Sequence, residues 1–179
     1  MTTEKQLAAQ LEASEKERCA MLQAMGQSIS DWGLVEEGLF GIFFKLMACP
    51  ALGPPSCAFV AAENVRTKIQ MVDSMMRHSK AGRKVLPEWE ELQYRCDKLR
   101  KARNSLVHRR VTTLKIGKAK GQPAIVPYNY DMRHSLKEKY GVPSHLKIDR
   151  VQKLSKEFRL LAVDLLKFAD GIQHSEAKP

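Results

Sequence analysis

The four cysteines of this 179-residue chain, Cys19, Cys49, Cys57 and Cys96, form no C-x-x-C pair, and no histidine stands at a companion zinc-ligand spacing. They read as reduced thiols, mostly packed. His78, His134, His145 and His174 are scattered without paired carboxylates or Cys at ligand distance, so no metal site is expected. The sequence lacks the G-x-x-x-x-G-K-S/T loop of P-loop phosphate binders and the G-x-S-x-G elbow of serine hydrolases. The expected cofactor set is therefore empty. Long hydrophobic runs are missing too: the longest, Gly38 to Gly53, is broken by Lys45 and Pro50 and cannot span a bilayer. The polar start Met1-Thr2-Thr3-Glu4-Lys5 has neither a signal-peptide nor a transit-peptide pattern. These absences point to a cytoplasmic protein with no membrane partner.

What is present is globular in composition, with 44% apolar and 28% charged residues, and the length suits one compact domain. Apolar spacing of three and four residues dominates, so the expected fold is mainly α: a single-domain bundle of about five helices, with a small β-hairpin before the last long one. Leu7, Leu11, Met21, Leu22 and Met25 define an amphipathic first helix within residues 1–26, and Gly26 to Ser30 reads as a break. The bundle proper then spans residues 27–173, with a disordered tail at 174–179. Its first helix carries Trp32, Val35, Leu39, Ile42, Phe43 and Leu46 and ends at Cys49-Pro50. The next carries Ala62, Val65, Ile69, Val72 and Met76 after two prolines that suit a first turn. A loop follows at His78 to Lys84. A further helix should run from near Pro87 to about His108, with Trp89, Leu92, Cys96, Leu99 and Leu106 on its apolar side. Val111 to Ile116 and Ala124 to Tyr128 flank a Gly- and Lys-rich tip, which predicts a hairpin insertion over about 111–128. Residues Asn129 to Lys147 read as a loop or short helix. The last helix repeats Val151, Leu154, Phe158, Leu161, Leu165, Phe168 and Ile172 after Asp149, a candidate N-cap.

The formal net charge of +10 is unevenly placed. Between Arg95 and Lys147 lie fourteen Lys and Arg against only Asp97, Asp131 and Glu138, while the rest of the chain is almost neutral. A concentrated positive field attracts polyanions, and nucleic acid is the favoured partner, although a solvated basic face or anionic lipid gives the same charge pattern. Tyr128 and Tyr130 offer rings for base stacking, while strand-end tyrosines also simply pack.

Within the basic segment stands Arg103-Asn104-Ser105-Leu106-Val107-His108. RNA cleavage without a metal needs a group that moves protons between the 2′-OH and the leaving oxygen, and positive charge on the crowded phosphate. Histidine titrates near neutral pH and arginine matches phosphate oxygens with a permanently charged fork. At about 100° per residue, Asp97, Lys101, Asn104 and His108 share one polar face within roughly 60°. Arg103 points about 140° away from His108, into the arc of Leu92, Leu99, Leu106 and Cys96, where a charge needs a partner. Glu36, at the edge of the apolar arc of its own helix, is the expected acceptor. One straight helix would not aim Arg103 and His108 at the same phosphate, so a helix end or a second copy of the chain is required. An arbitrary R-x-x-x-x-H string more often ends in a histidine that merely favours a helix C-terminus.

Arg103, Asn104 and His108, at the end of a late helix in a basic segment, resemble the signature of the HEPN superfamily of helical, commonly dimeric proteins. The resemblance implies a metal-independent endoribonuclease with a composite site between two subunits, possessing a toxin or phage-defence role and a possible neutralising protein partner. It assigns His108 as acid/base, Arg103 as phosphate contact and Asn104 as positioning residue. Lys101, Arg109, Arg110, Lys115, Lys118 and Lys120 would then bind the RNA backbone. One branch of the family, paired with a nucleotidyltransferase antitoxin, has a tyrosine two residues beyond the histidine; here that position is Arg110, which speaks against such a partner. The alternatives are a catalytically inactive module that binds RNA or a protein, and a purely structural dimer element.

Overall fold

A computed structural model of the chain describes residues 4–47, 53–113, 122–128 and 146–172. In chain order the described elements are α1 (Glu4–Met47), α2 (Pro54–Ala61), α3 (Val65–His78), α4 (Lys80–Lys84) and α5 (Leu86–Val107). The strands β1 (Arg109–Thr113) and β2 (Pro123–Pro127) follow, and then α6 (Ile148–Gly171). The architecture is mainly helical with a two-stranded antiparallel hairpin before the last helix, as the apolar spacing predicts. None of the described helices is long and apolar enough to cross a membrane.

Several boundaries differ from the expected ones, each for a physical reason. The break expected at Gly26 to Ser30 does not occur, and α1 is a single 44-residue helix. Gly26 costs a helix interior only about 1 kcal/mol, and no proline interrupts the segment. Serine disfavours helices when its hydroxyl competes for nearby backbone. The buried Ser28 hydroxyl instead donates to the Val151 carbonyl of α6 at 3.0 Å.

The two prolines open their own short helix, α2, which is capped off at Ala62, so Ala62 does not belong to the next helix. Asn64 starts α3 by accepting from the Arg66 backbone N–H at 2.9 Å. The loop expected at His78 to Lys84 contains the single-turn helix α4. Ser79 both closes α3 and caps α4, its hydroxyl accepting from the Gly82 N–H at 2.9 Å. Asp149 lies inside the first turn of α6 rather than at its N-cap, where its charge still favours the positive helix end. Strand pairing begins at Arg109, two residues before the predicted start. The tail at 174–179 lies outside the described residues, as do most of Asn129 to Lys147.

By backbone contacts the chain divides into two discontinuous units, one built from Met1–Ile29 with Asn104–Ser155 and the other from Ser30–Arg103 with Lys156–Pro179. The core of the first gathers Met21, Ala24 and Met25 of α1, Leu106 of α5, Ile125 of β2 and Val151 of α6, with Val111, Leu146 and Ile148 packed against it. Strand β2 is sheltered because both its edges are paired. It bonds β1 on one side, and on the other its Ile125 carbonyl accepts from the Leu146 N–H at 2.9 Å.

In the second unit the heptad-like stripe of α1 lies against α6. Trp32 meets Phe158 edge to face with ring centroids 5.1 Å apart. Gly38 permits the backbones to close in, since a Cβ placed there would sit 2.8 Å from the Leu165 Cβ. Phe43 stacks on Phe59 of α2 at 4.8 Å. The two buried indoles are both satisfied by carboxylates: Trp32 Nε1 donates to Glu36 at 3.1 Å and Trp89 Nε1 to Asp73 at 3.1 Å.

Candidate nucleic-acid interface

Helix α5 ends at Val107, and His108 is the turn residue that joins it to β1. The His108 N–H donates to the Asn104 carbonyl at 3.4 Å, closing the last helical turn. Its carbonyl accepts from the Tyr128 N–H at 3.1 Å, just past the end of β2. The backbone is thus held from both directions while the side chain is exposed. An exposed imidazole on a held backbone is accessible to a docked ligand.

Behind it, β1 opens with Arg109 and Arg110, both half-buried. Their register partners are Pro127 and Val126. Alternation along a strand places Arg109 on the face of Val111 and Ile125, which belongs to the core of this unit, and Arg110 on the opposite face. Desolvation pushes the Arg109 guanidinium below its ordinary pKa, the direction expected when a charge is drawn toward a core. Arg110 shares its face with Val126, which is also buried.

Asn104 is half-buried one turn before His108. The remaining sequence-predicted residues divide by position. Arg103 is half-buried, and its Nε, like those of Arg109 and Arg110, is shut off from solvent. Lys101 is exposed on α5. Asp97, on the same polar face, pairs with Arg100 at 3.1 Å. Glu36, expected beside Arg103, binds other donors: Lys68 Nζ donates to its Oε2 at 2.6 Å and Trp32 to its Oε1. Lys115, Lys118 and Lys120 lie outside the described residues.

Two features escaped the sequence reading. Tyr128 is brought beside His108 because pairing starts directly at the helix end, and a basic Arg-Arg pair carries no strand signal. The expectation of mostly packed thiols fails among the described residues: Cys96 is buried, but Cys19 and Cys57, on the outer faces of α1 and α2, are exposed. Among the described residues no cluster of three or more His, Cys, Asp or Glu could hold a metal ion. In the second unit an open cavity of about 220 Å³ is lined by Arg95, Lys98, Leu99, Glu157 and Leu160. Comparison with protein-family models, curated proteins and solved structures finds no match for this chain.

Proposed function

We propose that the chain binds RNA and cleaves it without a metal, using His108 as the proton-transfer group. The observation that carries this reading is the exposed His108 imidazole on a backbone tied to both Asn104 and Tyr128, directly followed by Arg109 and Arg110. In this scheme the imidazole accepts the proton of the 2′-OH, whose oxygen forms a bond to the adjacent phosphorus. The bond from phosphorus to the 5′-oxygen breaks and the imidazolium passes its proton to that oxygen, so that a cyclic phosphate and a 5′-hydroxyl result and His108 is neutral again. Arg110 supplies charge to the phosphate and Asn104 steadies the helix end that presents His108. Arg103 completes the motif by its resemblance to the HEPN signature, and a second copy of the chain supplies the opposite half of a composite groove. A defence or toxin role, held in check by a neutralising partner, follows from the same resemblance.

Incubation of purified protein with single-stranded RNA in EDTA tests the assignment. Wild type is expected to cleave, and His108→Ala to lose about 100-fold or more. Cleavage that is missing in wild type, or that survives the substitution, removes the catalytic role. A second reading, an inactive module that docks RNA or protein, is favoured by the location of the Arg95, Lys98 and Leu160 cavity, whose lining includes no residue of the motif. Binding without cleavage selects it.

A further inference from the structure

The hydrogen bond between Tyr128 and His108 extends the hairpin by one step beyond the Arg109 and Pro127 pair. His108 and Tyr128 are the turn residues directly beyond that pair, so their backbones stand side by side. The hairpin end therefore brings two exposed residues, His108 and Tyr128, together through their backbones.

The exposure of the ring decides between the two roles open to a strand-end tyrosine. A packed ring would be largely covered, yet Tyr128 is 60% exposed, while Ala124, Ile125 and Val126 before it are all buried. A large aromatic kept in water at the end of a buried strand is available for a π-faced ligand. Flat rings next to a cation are how proteins hold unpaired bases, and such stacking tolerates any sequence.

We infer that Tyr128 is the base-stacking platform of this site, which takes the unpaired base next to the phosphate handled by His108 and makes single-stranded RNA the substrate class. The inference rests on the proposed reading of His108. Bases within a duplex stay stacked on their neighbours and present no free face, so double-stranded RNA of the same sequence engages only the phosphate contacts.

The test uses the full chain carrying His108→Ala, so that RNA is bound without turnover, and reads the fluorescence anisotropy of an end-labelled 12-nucleotide RNA. Adding Tyr128→Ala is expected to weaken single-strand binding roughly ten-fold or more and to leave duplex binding unchanged. Tyr128→Phe keeps the ring and should bind as the parent does. A 2-aminopurine placed in the oligonucleotide should lose fluorescence with the Tyr and Phe proteins and not with the Ala protein. Equal single-strand affinity for the Ala and Tyr proteins overturns the stacking role and leaves the cleavage assay of His108 to stand by itself. Ring-dependent binding by a protein that never cleaves does the opposite, and a chain that binds no RNA overturns both.

Discussion

Replacing two glycines of α1 separately should move stability in opposite directions. Gly26 and Gly38 belong to the same uninterrupted helix, so each gains the same intrinsic helix propensity on becoming alanine, about 1 kcal/mol. Their surroundings differ. A Cβ on Gly26 meets nothing within 4 Å, whereas one on Gly38 would lie 2.8 Å from the Leu165 Cβ and 3.6 Å from the Ala162 carbonyl oxygen. Cβ atoms essentially never approach so closely, and a Cβ is not the swinging end of a side chain, so α1 and α6 must part. Overpacking of this kind costs about 1–3 kcal/mol. Gly26→Ala should therefore stabilise by about 0.5–1 kcal/mol, and Gly38→Ala should destabilise by about 1 kcal/mol after its helix gain is subtracted. At this chain length each kcal/mol moves the melting temperature by about 2–4 °C. Paired thermal and urea unfolding curves read the difference. A fall in stability for Gly26→Ala would contradict a helix that runs through residues 26–30. A rise for Gly38→Ala would contradict the close approach of α1 to α6.

Glu36→Ala strands the Lys68 ammonium and the buried Trp32 indole N–H, both mostly covered, and should cost about 1–3 kcal/mol; Glu36→Gln keeps one acceptor and should cost less in the same urea titration. A thiol reagent at pH 8 should label Cys19 and Cys57 in the native protein and reach Cys96 only on unfolding, as read by peptide mass mapping. Burial pushes the Cys96 thiol up to about 12 from an ordinary 9.0, and the nearby Arg95 only partly offsets this. Because the folded pKa is the higher one, this thiol leaves stability unchanged below about 9.0 and lowers it as pH rises from there to about 12. Cys96→Ala should flatten that alkaline decline, and an identical slope in both proteins would refute the assignment.

The helical content was legible because the stripes from Trp32 to Leu46, Val65 to Met76, Trp89 to Leu106 and Val151 to Ile172 each repeat at the period of a helix that buries one face. The candidate site was legible only in part. The spacing from Arg103 to His108 fixes their angular separation on one helix, and His108 falls at a helix end because the chain turns into β1. No pattern in the sequence states that Tyr128, twenty residues on, returns beside His108, since that depends on the register in which two short strands meet. Nor does spacing choose the partner of a charge: Glu36 lies at the edge of its apolar arc, as its position implies, yet the cation it meets is Lys68 of α3.

By itself, then, the sequence determined which faces of which helices are apolar, where charge accumulates and which residue types could move a proton, because these follow from local periodicity and side-chain chemistry. Tertiary structure alone decided that α1 continues through Gly26, that α1 and α6 close in at Gly38, and that Arg109 is drawn toward a core while His108 stays in water. Each of those outcomes depends on what a distant segment supplies: the Val151 carbonyl for Ser28, the Leu165 side chain beside Gly38, and the Tyr128 N–H for His108.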